Sequence, residues 1–265
     1  MNVWTPTEPP WRPSTYDRGV RAPVDHIAAP PFPRRSQWIN VSTLRMDTLE
    51  GHPVLIEFWD FCRPNSLRTL PYVKAWQERY EPAGLRVIGV HASGFEPSAD
   101  PEAVREAVGR LEIRYPVLID SELELWGDYG NLGWPARYLF GPQLRLFDYH
   151  YGEGAYEETE LAIQELLGVE RPTLEPIRPE DAPGALLTPQ SEDVEGPYNG
   201  PYEAGGVWAV LEGSGTVTAN GREIAVTYPG AYELIAHACS TAGMLELELS
   251  AAVTCYAVCF TPGLA

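Results

Sequence analysis

The spacing of apolar residues predicts strands that alternate with helices between residues 38 and 170. The run Val54–Phe61 is apolar at nearly every position, which is typical of a parallel strand buried on both faces. Strands alternating with helices indicate an α/β domain whose sheet is covered on both faces. The elements predicted here are strands at 54–61, 85–91 and 116–120, a hairpin of 136–140 with 144–149, and helices at 66–80, from 101, and at 157–167.

Local signals set several helix boundaries in this region. Asp100 as N-cap with Pro101 at the first position predicts a helix start. Ser121, with Glu124 three residues later, predicts the cap of a further short helix. Gly168 predicts the end of the last helix, because glycine readily adopts the left-handed conformation found there.

The apolar pattern changes to a period of two in residues 201–265, which we call the β-domain. Short alternating runs there are separated by glycine, Asn-Gly and Pro-Gly turns, and they predict an all-β sandwich of about six strands. So small a domain is marginally stable alone, and its sheet edges need covering. We therefore expect it to pack on the α/β domain, or on a second copy of the chain as a homo-oligomer.

Proline-rich segments flank the α/β domain and complete the predicted organisation. Residues 1–37 form an arm that contains Trp4 and Trp11, and it either lies along the folded body or is a disordered tail. The α/β domain occupies residues 38–170, and residues 171–200 form a linker to the β-domain.

Composition excludes several classes of function. The formal net charge is −18, which argues against nucleic acid and anionic membranes as partners, because both require a positive face. No apolar run is long enough to span a bilayer. The N-terminus lacks the basic and apolar regions of a signal peptide, so we expect a cytoplasmic protein with reduced thiols.

The four cysteines do not predict a metal site. None belongs to a Cys-x-x-Cys pair, although Cys239, Cys255 and Cys259 with His237 offer four potential ligands. Residues 255 and 259 are four apart in an apparent strand, so they lie about 13 Å apart and cannot share one ion. We expect neither a metal nor another cofactor.

Five sequence blocks of the α/β domain resemble the thioredoxin-like proteins of the TlpA/ResA and DipZ type. The blocks are FWDFCRPNSLRTLPYVKAW, GLRVIGVH, IRYPVLID, GWPARYLF and HYGEGAYEETELAIQELL. The resemblance covers about residues 38–168 and implies a thioredoxin fold. A β-domain in second place also resembles the soluble C-terminal half of DipZ-type proteins. That likeness implies a jelly roll of the carbohydrate-binding-module type, with a cupin-like half-barrel as the alternative.

The resemblance also locates the redox site and its missing cysteines. In the family a Cys-x-x-Cys pair lies at the turn from strand to helix, and the two positions align with Arg63 and Ser66. Disulfide exchange needs an attacking thiolate and a resolving thiol, so the chain is not expected to perform it. Arg63 beside a helix N-terminus could bind an anion. Ser66 could bind there too, or act only as the N-cap.

Two further residues of the site each have two interpretations. Cys62 lies one residue before the family's first cysteine, and it is either a reactive thiol or a small packed residue. Glu57 aligns with the buried acid that moves protons in thioredoxins, or it is a structural acid paired with Arg137 or Lys74.

Trp134-Pro135 matches the loop of the family that contains a cis-proline. The residue before that proline presents its backbone to an extended substrate in the family, so a protein or peptide partner is expected at this loop. The other interpretation is a turn that simply closes the sheet.

Three functions follow from these features. The first is a thioredoxin-fold binding or scaffold module without dithiol activity. The second is a thiol oxidoreductase or peroxidase-like enzyme that uses Cys62, possible only with an outside reductant. The third is a protein that binds carbohydrate or another small ligand through its β-domain.

Overall fold

The computed structural model of the chain describes residues 24–265. Most of the predicted arm, with Trp4 and Trp11, lies outside the described residues. No helix among residues 24–265 combines the length and apolar character needed to cross a bilayer.

A six-stranded mixed sheet forms the centre of the first domain. Its strands are β1 (Gln37–Ile39), β2 (Val54–Trp59), β3 (Arg86–His91), β4 (Val117–Ile119), β5 (Ala136–Phe140) and β6 (Leu146–Tyr151). The order across the sheet is β1-β4-β3-β2-β5-β6. Strands β2, β3 and β4 are parallel, and the other three strands run antiparallel to their neighbours. Because β2 lies in the interior of the sheet, every one of its residues is buried.

Helices cover the sheet on both faces, as the alternation of elements predicts. They are α1 (Pro64–Tyr80), α2 (Pro101–Arg110), α3 (Glu124–Asp128) and α4 (Tyr156–Leu167). Successive residues of β2 point to opposite faces, so Leu55 packs in the apolar cluster with α1, α2 and α4. Ile56 packs in the cluster on the other face, with Leu125 of α3.

The structure confirms two predicted helix boundaries and corrects others. Asp100 caps α2 by accepting a hydrogen bond from the Glu102 N–H (3.0 Å), and Gly168 ends α4 in the left-handed conformation. Helix α1 begins at Pro64 rather than Ser66, because proline suits a first helical position. Strand β6 begins at Leu146 rather than Leu144, since Leu144 has a positive φ of 55° in the preceding turn.

The prediction that Ser121 caps the short helix is wrong. Helix α3 begins at Glu124, and the carboxylate of Asp120 accepts hydrogen bonds from the N–H groups of Leu125 (3.1 Å) and Trp126 (2.8 Å). Asp120 directly follows strand β4 and is buried, so it reaches the helix start more directly than Ser121 does.

The C-terminal region is strand-rich and contains several sheets. Strands β8 (Val194–Glu195), β9 (Gly200–Gly213), β12 (Gly230–Leu245) and β14 (Val253–Thr261) form a sheet in the order β12-β9-β14-β8. Strands β10 (Gly215–Ala219), β11 (Arg222–Val226) and β13 (Leu247–Leu249) form another, in the order β11-β10-β13. Strands β7 (Leu187–Thr188) and β15 (Gly263–Leu264) pair with each other.

The strands number nine rather than about six, because β7 and β8 lie in the predicted linker and β15 is only two residues long. The Asn220-Gly221 turn between β10 and β11 has two positive φ angles (49° and 81°), as the hairpin signal predicts. The type of sandwich stays a prediction.

The β-domain packs on the α/β domain through strands β9 and β14. Val210, Ala257 and Cys259 belong to the same buried apolar cluster as Phe61 and Cys62. The Ala231 N–H also donates a hydrogen bond to the Phe61 carbonyl (3.3 Å). This contact places the β-domain against the turn between β2 and α1.

Candidate functional site

The turn from β2 to α1 is organised by Asp60, a residue that the sequence analysis missed. Its carboxylate is fully buried and accepts hydrogen bonds from the N–H groups of Cys62 and Gly94, both at 2.8 Å. His91 Nε2 lies 3.6 Å from the same carboxylate. An aspartate two residues before the donor commonly forms such a turn, and this local signal could have identified it.

Arg63, which we predict to align with the family's first cysteine, is held between two aromatic rings. Its guanidinium carbon lies 4.3 Å from the ring centroid of Phe95 and 4.8 Å from that of Trp134. An arginine over an aromatic face is attracted by the negative charge of the ring face. Arg63 therefore joins the turn to the loop that contains Trp134.

Ser66 does not cap α1, so that prediction is wrong. The N-cap residue is Arg63, which makes no side-chain capping hydrogen bond, because α1 begins two residues earlier than predicted. The Ser66 hydroxyl instead accepts a hydrogen bond from the Asp60 N–H (3.2 Å) and is buried. Ser66 thus stabilises the turn.

Cys62 is fully buried beneath the β-domain. Burial and the nearby Asp60 carboxylate raise the pKa of its thiol far above the usual range, and the hydrogen bond with Ser98 and the charge of Arg63 offset this only in part. The thiolate is the nucleophilic form of cysteine, so this environment suppresses reactivity at neutral pH.

Glu57 lies on β2 with its carboxylate fully buried and without a hydrogen-bond partner among the described residues. Burial raises its pKa from 4.5 to about 8, and the positive charge of Arg137 opposes the shift. Arg137 is its direct cross-strand neighbour on β5 and is also buried. Lys74 is not the partner, since its ammonium group donates to the Leu111 carbonyl (2.8 Å).

The peptide bond between Trp134 and Pro135 is cis. The Trp134 indole N–H donates to the Ala92 carbonyl (2.8 Å), and its ring centroid lies 4.2 Å from that of Trp126. Trp134 remains half-buried, and its side chain contacts Arg63, so the loop lies against the β2–α1 turn.

Sequence comparison finds known proteins that are similar to this chain. Protein DipZ of Mycobacterium bovis is 31% identical over 166 residues, which cover 62% of this chain and 24% of DipZ. Thiol-disulfide oxidoreductase YkuV of Bacillus subtilis is 25% identical over 130 residues, which cover 49% of this chain and 87% of YkuV. The chain has a thioredoxin-like fold and is similar to the thioredoxin-like proteins of the TlpA/ResA/DipZ type.

Further comparisons show how much of this chain and of its relatives the similarity covers. No family model matches the chain. The chain spans about a quarter of the length of the DipZ proteins that it matches. The solved structure of thioredoxin-like superfamily protein SPOA0173 shares the fold, with a TM-score of 0.50 and 22% identity over 55% of this chain and 99% of that one.

A network of partly buried charges ties the linker to the thioredoxin-like domain, and no sequence signal indicated it. Arg68 of α1 forms ion pairs with Glu153 (2.8 Å) and Glu180 (3.0 Å). Arg178 pairs with Asp181 (3.0 Å) and donates to the Arg68 carbonyl (3.0 Å). The segment that leads to the β-domain is therefore anchored on the helix that begins at the site.

The described residues 24–265 contain no group of three or more histidine, cysteine or acidic side chains placed to hold a metal ion. The thiols of Cys62, Cys255 and Cys259 are buried, and only that of Cys239 is exposed. Burial also raises the pKa values of Cys255, to about 11, and of Cys259.

This distribution of thiols predicts the result of alkylation. Brief treatment of the native protein with N-ethylmaleimide at neutral pH should add one label per chain, at Cys239, because the other thiols are buried and protonated. In denaturant all four should react. Intact mass and peptide mapping measure both, and rapid native labelling of Cys62 would show that its site is open.

Proposed function

We propose that this chain is a binding or scaffold module built on a thioredoxin-like fold, without dithiol exchange activity. The observation that supports the proposal is the packing of Arg63 between Phe95 and Trp134, because we predict that this residue aligns with the family's attacking cysteine. A guanidinium cannot attack a disulfide. The relationship to thiol-disulfide oxidoreductases then accounts for the fold of the site and not for its present chemistry.

The surroundings of Arg63 support the same conclusion. The position of the family's second cysteine is Ser66, whose hydroxyl is engaged by the Asp60 N–H. Exchange passes through a mixed disulfide that a second thiol resolves, so a turn with neither thiol in place cannot complete the cycle.

The binding role is supported by the part of the site that remains accessible. Phe95 and Trp134 are half-buried and border the cis-proline loop, whereas Phe61 and Cys62 are covered by the β-domain. We infer that a protein or peptide partner docks at the open side of this loop. In this arrangement the β-domain completes the scaffold by closing the other side.

A monothiol enzyme built on Cys62 is disfavoured by the burial of that thiol and by its raised pKa. A peroxide or a disulfide substrate would have to displace the packed strands β9 and β14 before it could reach the sulfur. Ligand binding by the β-domain stays a prediction.

Insulin reduction with dithiothreitol tests the proposal. The wild-type chain and Cys62→Ser should both remain at the background rate, because the wild type has no exchangeable pair. The double variant Arg63→Cys/Ser66→Cys restores the spacing of the pair on the same fold and should exceed the wild-type rate. A wild-type rate above background that disappears in Cys62→Ser would establish a monothiol enzyme instead.

A further inference from the structure

An exposed apolar surface lies beside the cis-proline loop. Leu132 is 82% exposed, the highest fraction among the large apolar side chains of residues 24–265. Leu123 is also exposed, and the contacting indoles of Trp126 and Trp134 are half-buried. We call these four residues the α3 surface. Single exposed apolar residues are ordinary, but a group of adjacent ones often marks an interaction site.

The loop that presents Leu132 is fixed by hydrogen bonds. The buried Asn131 receives a hydrogen bond from the Tyr138 hydroxyl (3.0 Å), and its own side chain donates to the Gly133 carbonyl (3.3 Å). The Asn131 N–H donates to the Trp126 carbonyl (3.0 Å). A surface that is already ordered loses little conformational entropy when a partner binds.

The charged side chains of the segment that forms the α3 surface are all acidic. Residues 121–134 contain no lysine, arginine or histidine, and the side chains of Glu122, Glu124 and Asp128 are exposed. None of these three carboxylates forms an ion pair with another described residue. Arg63 is a cation beside Trp134, and its guanidinium donates a hydrogen bond to the Gly94 carbonyl (3.4 Å).

We propose that the α3 surface docks a basic segment of a partner protein, with one apolar side chain seated on Leu132 and Trp126 and flanking lysine or arginine residues facing the three carboxylates. This proposal rests on the proposed binding function, and it specifies a basic protein segment as the class of partner. Charge complementarity favours this occupant, because opposite charges bring two surfaces together and like charges exclude other partners. A second copy of the chain, with a net charge of −18, carries the same carboxylates and would be repelled.

Fluorescence anisotropy with synthetic peptides tests the partner class. The probe is a short fluorescein-labelled lysine-rich peptide with one central tryptophan, and its controls carry serine in place of tryptophan or glutamate in place of lysine. The wild-type chain should bind the probe more tightly than either control peptide. No binding of the probe, or equal binding of the glutamate peptide, would overturn the proposal.

Matched variants separate the α3 surface from the overall negative charge. The triple variant Glu122→Gln/Glu124→Gln/Asp128→Asn should weaken binding by about tenfold. The control Glu223→Gln/Glu246→Gln/Glu248→Gln removes the same charge from exposed positions of the β-domain and should weaken it by less than about twofold. Equal losses of affinity in the two triple variants would show that binding of the probe depends on the net charge of the chain alone.

Leu132→Ser should weaken binding, whereas Leu186→Ser, at a position 77% exposed in the linker, should not. Equal effects of these two substitutions would also overturn the proposal. The insulin assay is independent of these measurements. A chain that is inactive there and fails the peptide test retains the proposed function and loses only this partner class.

Discussion

Glu57→Gln is expected to stabilise the protein by an amount that increases with pH. The native carboxyl has a pKa of about 8, against 4.5 as its ordinary value, because burial disfavours its charged form. Between these two values the unfolded chain releases this proton and the native chain keeps it. The wild-type free energy of unfolding therefore falls as pH rises through this interval, by at most about 5 kcal/mol.

Glutamine cannot ionise, so the variant should escape that loss. The two proteins should differ least well below pH 4.5, where Glu57 is neutral in both states, and most above pH 8. Urea denaturation across this range measures the difference, and Glu223→Gln on the exposed face of β11 provides the control. A difference that does not change with pH would mean that the native Glu57 is ionised at neutral pH and that its charge is compensated by Arg137.

The sequence was sufficient to predict the thioredoxin-like domain because its signals are local. Strand β2 is apolar at every position except Glu57, and Asp100, Pro101 and Gly168 mark helix ends by their own backbone and side-chain chemistry. The prediction for Ser121 was wrong because serine is a common capping residue, whereas Asp120 accepts the hydrogen bonds at the start of α3 from a buried position. Whether a residue is buried depends on the whole fold, so a local capping motif cannot reveal it.

The site itself was predicted only in part, because its decisive contacts join distant segments. Arg63 could be aligned with a missing cysteine, but Phe95 and Trp134, which hold it, come from two other loops. The cover over Cys62 comes from strands β9 and β14, about 150 to 200 residues further along the chain. Two-residue strands such as β7 and β8 also have no periodicity to detect, so the linker could not be recognised as part of the sheets.

Glu57 and Asp60 show how two buried acids of one segment can have different roles. Asp60 accepts two backbone hydrogen bonds and therefore fixes the β2–α1 turn. Glu57 accepts none among the described residues and lies opposite Arg137. An unpaired buried carboxylate costs stability, and such costs commonly persist at positions with a function.

Arg68→Met is expected to destabilise the protein by about 3–5 kcal/mol, because it leaves a largely buried carboxylate without its partner. The Arg68 side chain is 9% exposed and that of Glu153 is 17% exposed, and their ion pair is 2.8 Å long. Burial already raises the pKa of Glu153 despite the charge of Arg68. Arg45→Met is the control, because the pair of Arg45 with Asp47 is 73% and 60% exposed, and such surface pairs contribute about 1 kcal/mol or less.

The double variant Arg68→Met/Glu153→Gln separates the unpaired charge from the lost packing. It should be more stable than Arg68→Met alone, because the carboxylate that loses its partner is absent. The loss in Arg68→Met should also shrink as the pH falls, since protonation removes the charge of Glu153. Urea denaturation of the four proteins at neutral and acidic pH measures these differences. If Arg68→Met loses no more stability than Arg45→Met, the network does not anchor the linker, and the β-domain is held over the site by the apolar contacts of β9 and β14 alone.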